Sequence, residues 1–263
     1  MIGVFDSGVG GMTVARAIEA MLPDHALLYF GDLARSPYGP KSPEKIIQYS
    51  RDNTRFLLDQ GAKLIIIACN SAASVASDLI RAEFDVPVFE VITPAVRQAV
   101  AATVNGRVGV IGTRATVRSG IYERMITAAA AGIKVASAAC PLLVPMVEEG
   151  WLDRRETKMV VRRYLQPLKM RQVDTLVLGC THYPLLRAII QARIGKRVRV
   201  IDSAGAVAVE VRSFIEKNPD IAATLAVGQG SRYYVSDITD AALGIAAKIF
   251  GRRINLELAN GNL

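Results

Sequence analysis

The sequence predicts an α/β fold built as two pseudo-symmetric domains, each a mostly parallel sheet flanked by helices, with the active site in the cleft between them. Three observations predict it. Short β-branched apolar runs alternate with longer segments of helical period, the pattern of parallel strands covered on both faces by helices. Two strand-end motifs recur in the same order at nearly equal spacing: Gly3-Val4-Phe5-Asp6-Ser7 is echoed by Gly109-Val110-Ile111-Gly112-Thr113, and Ala68-Cys69-Asn70-Ser71 by Gly179-Cys180-Thr181-His182. The end of the chain has no counterpart in the second half, so it is expected to return to the first. The division that follows is residues 1–94 with 208–263 for the first domain and 95–207 for the second.

In chain order, the expected strands are Ile2–Phe5, Ala26–Phe30, Leu64–Ala68, Val86–Val91, Val108–Ile111, Ile133–Ser137, Thr175–Leu178, Arg197–Ile201 and Arg232–Val235. Each is a short run dominated by Val, Ile, Leu, Phe or Tyr. Between them, helical stretches are expected at Gly11–Met21, Pro43–Gln60, Ala72–Glu83, Arg114–Ala131, Arg154–Lys169, Ala204–Glu216 and Thr239–Phe250. In such sheets ligands bind beyond the carboxyl ends of the strands, so the residues that follow each strand are where chemistry is expected.

Composition narrows the function classes. In 263 residues, 51% are hydrophobic and 21% charged, which excludes a disordered chain. The net charge of +8 is spread over pairs such as Arg154-Arg155, Arg162-Arg163, Lys196-Arg197 and Arg252-Arg253. No run of like charge forms a basic arm, and aromatics are few. Nucleic acid is therefore not expected as the primary ligand, whereas a small anionic substrate is attracted by such a field. Three cysteines make no disulfide framework, no apolar run is long enough to span a membrane, and no signal-like segment opens the chain. A cytoplasmic location is expected, where thiols stay reduced.

Cys69 and Cys180 each end an apolar strand and open a helix-starting turn. A helix N-terminus favours a thiolate, so both thiols are expected to ionise more readily than usual. Either cysteine alone reads equally as a small buried side chain. As a pair at matching positions they face one another across a cleft, an arrangement suited to inversion at a carbon acid, with a base on one face and an acid on the other. Disulfide redox chemistry would call for Cys-x-x-Cys, and zinc for about four ligands; the sequence offers neither. Asp6 stands where a carboxylate supports a neighbouring thiol or caps a helix, and Gly8, Gly10 and Gly11 are expected to let backbone approach a ligand closely. A dinucleotide fingerprint is broken at Thr13. The loop Phe30–Pro40 carries two prolines and two glycines and is expected to present the Tyr38 and Gly39 N–H groups to a carboxylate. Lys41 raises the question of a pyridoxal phosphate Schiff base, but a loop lysine is all that supports it. Cys140 reads as structural, and His25 as a turn residue without a role.

These segments together, with Tyr29-Phe30-Gly31-Asp32, Pro37-Tyr38-Gly39-Pro40, Cys140-Pro141-Leu142-Leu143-Val144-Pro145, Glu148-Glu149-Gly150-Trp151 and Cys180-Thr181-His182-Tyr183-Pro184, closely resemble the glutamate racemases of bacterial cell-wall synthesis, nearly end to end. The resemblance implies a racemase without cofactor or metal that inverts glutamate and supplies the D form for peptidoglycan. It implies a homodimer, with Cys69 and Cys180 as proton-transfer residues. Asp6 then supports Cys69, His182 supports Cys180, and Glu148 lies close to the second pair. By the same resemblance Asp6, Ser7, Tyr38, Gly39, Asn70, Ser71, Thr181 and His182 contact the substrate, and Thr113 and Thr116 line the cleft. The family usually has threonine where this chain has Ser71. Sister activities on aspartate or a hydantoin, and a binding protein that has lost activity, remain alternatives.

Overall fold

Leu64-Ile65-Ile66-Ile67 has no exposed side chain at all, and burying each such residue is worth about 1.5–3 kcal/mol. Runs of this kind organise the chain. The computed structural model describes residues 1–228 and 230–259. Ten strands are present among them: β1 (Ile2–Asp6), β2 (Leu27–Gly31), β3 (Leu64–Ile67), β4 (Val88–Glu90), β5 (Arg107–Gly112), β6 (Lys134–Ala139), β7 (Thr175–Gly179), β8 (Arg199–Asp202), β9 (Arg232–Val235) and β10 (Leu256–Leu258). The helices are α1 (Met12–Met21), α2 (Pro43–Asp59), α3 (Asn70–Glu83), α4 (Ile92–Ala102), α5 (Arg114–Ser119), α6 (Ile121–Ala129), α7 (Leu143–Glu148), α8 (Arg155–Met170), α9 (Arg187–Ile194), α10 (Ser203–Lys217), α11 (Pro219–Thr224) and α12 (Asp240–Phe250).

The strands form two sheets, of order β10-β9-β2-β1-β3-β4 and β6-β5-β7-β8, and every pairing is parallel. The order β2-β1-β3-β4 is repeated as β6-β5-β7-β8. This makes β1 equivalent to β5 and β3 to β7, as the two sequence echoes require. The end of the chain returns to the first sheet through β9, which pairs with β2. Helices α4 and α10 carry the chain between the sheets, and α10 packs on α1 and α4. The boundaries expected at 94/95 and 207/208 lie inside these two helices. No helix among the described residues is long and apolar enough to cross a membrane.

Each expected strand is present to within a few residues. The expected helix Arg114–Ala131 is instead two, α5 and α6, because Gly120 takes the left-handed conformation (φ 66°) and ends the first. Helices α4, α7, α9 and α11 and strand β10 were not anticipated. Most are short, and α4 begins with Ile92-Thr93-Pro94, which reads as a linker. Good starts are visible elsewhere: Ser42 caps α2 ahead of Pro43, and the Thr239 hydroxyl accepts from Ala242 N–H at the start of α12.

Candidate active site

Four equivalent strand ends converge. Asp6 ends β1, Cys69 follows β3, Thr113 follows β5 and Cys180 follows β7. A cavity of about 20 Å³ lies where they meet. It is lined by Ser7, Pro37, Tyr38 and Gly39 from the loops after β1 and β2, and by Cys69, Asn70 and Ser71 at the start of α3. Thr113, Val144, Cys180, Thr181 and His182 complete it from the second sheet. Both cysteines therefore border one space, reached from opposite sheets, and both are buried.

The two sulfurs have different surroundings. The Cys69 thiol donates to Ser7 Oγ (3.5 Å). Burial pushes its pKa up to about 12, with the Asp6 carboxylate adding to the shift, while the Ser7 hydroxyl and the Ala72 N–H oppose it. The expectation that the N-terminus of α3 lowers this pKa is thus corrected, since loss of water outweighs the helix dipole. Cys180, unlike Cys69, does not stand at an α-helix; it precedes a 3₁₀ turn at Tyr183–Leu186. Its Sγ lies 3.9 Å from His182 Nδ1, and His182 Nε2 lies 3.3 Å from Glu148 Oε1 at the end of α7. That last contact is an ionic approach without hydrogen-bond alignment, because Nε2 has no hydrogen-bond partner. Burial disfavours charge on His182, yet Cys180 and Glu148 outweigh it and raise its pKa to about 10.

This shift has a consequence for stability. An imidazole that ionises near 6.5 when unfolded and near 10 when folded binds its proton more tightly in the native state. The stabilisation is complete below pH 6.5 and is lost as pH rises through 10. Between pH 7 and 10, urea unfolding is expected to show wild-type stability falling more steeply than that of His182→Asn, by up to about 1.4 kcal/mol per pH unit. Parallel pH profiles would remove the His182 proton from the folded state.

The remaining expected residues sort into two layers. Asp6 does not line the cavity. Its carboxylate accepts from Gly8 N–H (3.0 Å) and from the Thr181 hydroxyl of the other half (3.3 Å). Burial raises its pKa, against the pull of His182, the Gly11 and Gly8 N–H groups and Thr181. Glu148 lies behind His182. Thr116, expected in the cleft, stands behind Thr113, whose Oγ1 is 3.1 Å from its own and accepts its N–H. Thr113 Oγ1 in turn meets Ser71 Oγ across the cleft at 2.8 Å. Tyr38 lines the cavity with its hydroxyl already engaged, donating to Asp32 and accepting from Asn53 Nδ2. Cys140 is fully buried, with its thiol donating to Ala138 O.

The glycines also act differently from expectation. A Cβ on Gly10 would lie 2.6 Å from both His182 Cε1 and Thr181 Oγ1, and one on Gly11 would lie 2.7 Å from Asp6 Cγ. They admit side chains of the site itself, not a ligand. Asn70, Val144, Pro37 and Tyr122 show what motif reading finds and misses. Asn70 was expected, but Val144 and Pro37 at the cavity wall were not. Nor was Tyr122, whose hydroxyl donates to Asn70 Oδ1 (2.8 Å) and fixes the amide. Asn70 Nδ2 is left as a buried donor without a partner. Among the described residues no group of three or more His, Cys, Asp or Glu side chains is arranged to hold a metal ion.

Residues 12–211 match the model of the Asp/Glu/Hydantoin racemase family. The chain belongs to that family. It is 46% identical over 257 residues to the glutamate racemase of Syntrophus aciditrophicus, covering 96% of this chain and 93% of the relative. Among solved structures, glutamate racemase isoform RacE1 from Bacillus anthracis superposes with a TM-score of 0.92 at 35% identity, covering 99% of this chain and 97% of the other. The glutamate racemase of Francisella tularensis in complex with D-glutamate superposes with a TM-score of 0.90 at 34% identity, covering 98% and 97%. As a member of the racemase family, the chain is an isomerase whose cavity at the strand ends is the candidate active site.

Proposed function

We propose that this isomerase interconverts L- and D-glutamate by a two-cysteine proton transfer that needs no cofactor. The site lies in the cleft between residues 1–94 with 208–263 and residues 95–207. The observation that carries the reading is that Cys69 and Cys180 border one cavity from equivalent strands of two sheets. Glutamate is named for the relatives at 46% and 35% identity.

In the L-to-D direction Cys180 removes the α-proton as thiolate and Cys69 returns one as thiol. Cys69, held as a thiol by burial beside Asp6, suits the donor. His182, protonated beside Cys180 and facing Glu148, supplies the positive charge that balances the thiolate. In the reverse direction the roles exchange. The Asn70 amide and the Ser71 and Thr113 hydroxyls, together with the Tyr38-Gly39 backbone, are the donors that hold the substrate carboxylates, with Thr181 lining the same cavity. Fixed donors in a dry cavity stabilise the developing carbanion, and the two walls hold the α-carbon between the sulfurs. Enantiomers have equal free energy, so net flux toward D-glutamate comes from its consumption in peptidoglycan synthesis. A homodimer belongs to the same reading and rests on the resemblance alone, whereas a cytoplasmic location is inferred from the three free cysteines.

Incubation with L-glutamate in deuterated water tests the proposal. Optical rotation is expected to decay to zero while the α-hydrogen signal disappears. Unchanged rotation, or faster decay with L-aspartate, overturns the glutamate assignment.

A further inference from the structure

The reaction cavity, at about 20 Å³, has room for roughly one water molecule. Beside it lies a second cavity of about 200 Å³ that shares Pro37, Gly39, Thr113 and Val144 with the first. It is completed by Pro40 and Pro141 from the loops after β2 and β6, by Pro145 of α7 and by Arg114, the only ionisable side chain in its wall. Arg114 is exposed, and none of the ion pairs among the described residues involves it. Between the two cavities the halves are tied together. Ala115 N–H donates to Gly39 O (3.0 Å), and Ser71 Oγ meets Thr113 Oγ1 (2.8 Å).

We propose that the larger cavity is an outer docking site for a dicarboxylate, in which the Arg114 guanidinium holds one carboxylate before the Gly39–Ala115 and Ser71–Thr113 contacts part. The inference rests on the glutamate reading above. The outer cavity borders the reaction cavity, its lining is otherwise uncharged, and its single cation faces an approaching anion in the field of a chain of net charge +8. A guanidinium takes a carboxylate through two parallel N–H bonds. The closed contacts behind it mean that substrate waits outside until the halves move, and a docking site raises its local concentration there. Arg114 acts on arrival, not on the α-proton, so its effect belongs in kcat/KM and in salt dependence, not in kcat.

The test is steady-state racemisation by wild type, Arg114→Gln, Arg114→Lys and Arg114→Glu, with both glutamate enantiomers, from 0.02 to 0.5 M salt. Inhibition by glutarate, which has two carboxylates and no α-amino group, is measured in parallel. At low salt Arg114→Gln is expected to lower kcat/KM about tenfold, through KM, with kcat within twofold of wild type. Its kcat/KM falls less steeply with salt than that of wild type, and glutarate inhibits it about tenfold less well. Arg114→Lys keeps most of the wild-type value, and Arg114→Glu loses more than Arg114→Gln. A kcat/KM for Arg114→Gln within twofold of wild type at low salt overturns the proposal, as does a loss carried by kcat or one unrelieved in Arg114→Lys. If wild type racemises no glutamate, it is the functional reading that fails, and glutarate binding by wild type against Arg114→Gln, followed by calorimetry, still decides the docking site.

Discussion

Replacing Cys69 or Cys180 with alanine is expected to lower kcat for glutamate by about 10³-fold or more, because a positioned acid or base contributes roughly 10²–10⁴-fold and neither wall offers a substitute. Around Cys69 the neighbours are Ser7, a hydroxyl, and Asp6, already engaged by Gly8 and Thr181. Around Cys180, His182 is turned between the sulfur and Glu148. The two variants should differ in a second measurement. In deuterated water, Cys69→Ala keeps the base that faces the L enantiomer, so it is expected to wash deuterium into L-glutamate without inverting it. Cys180→Ala should do the same for D-glutamate. Near-normal turnover in either variant removes that residue from the mechanism, and exchange from the opposite enantiomer reverses the assignment of faces.

Gly10→Ala is expected to cost about as much as losing a catalytic helper, roughly 10²-fold in kcat, although Gly10 carries no chemistry. The added Cβ would fall 2.6 Å from His182 Cε1 and from Thr181 Oγ1. These atoms belong to the imidazole beside Cys180 and to the hydroxyl that donates to Asp6, so a shift there disturbs both proton-transfer sides at once. Overpacking of this kind also costs about 1–3 kcal/mol of stability, visible as a lower melting temperature. Gly205→Ala, in α10, is the control. A Cβ there meets nothing within 4 Å, so activity should be unchanged and stability equal or slightly higher. Full activity in Gly10→Ala would mean that the loop and His182 separate without consequence.

Much of the architecture was legible because its causes are local. A run such as Leu64–Ile67 declares a strand buried on both faces, and Ser42 with Pro43 declares a helix start. The sequence echoes between β1 and β5, and between β3 and β7, anticipated the repeated strand order. What escaped were elements whose signal is short or ambiguous: α4, which begins with Pro94 in its first turn; β10, only three residues long; and the break at Gly120, where one glycine turns a continuous helical period into two helices. In the site, residues that directly follow strands were found. Val144, Pro37 and Tyr122 were not: Val144 sits in the short helix α7 and Tyr122 in α6, whose sequences read as ordinary packing, and Pro37 reads as a turn former beside Tyr38 and Gly39.

By itself the sequence determined that Asp6, Cys69, Thr113 and Cys180 stand at strand ends, since strand periodicity and the chemistry of the next residue are written within a few positions. Only the tertiary structure decided how these groups behave. Cys69 is driven toward the thiol by burial beside Asp6, against the helix dipole that its own neighbours supply. His182 is held charged between Cys180 and Glu148, Thr116 is screened behind Thr113, and Gly10 is required by an imidazole that lies far away in the chain. The physical reason is the same in each case. Proton affinity and close packing depend on which distant groups exclude water together, and no local run of residues encodes that exclusion.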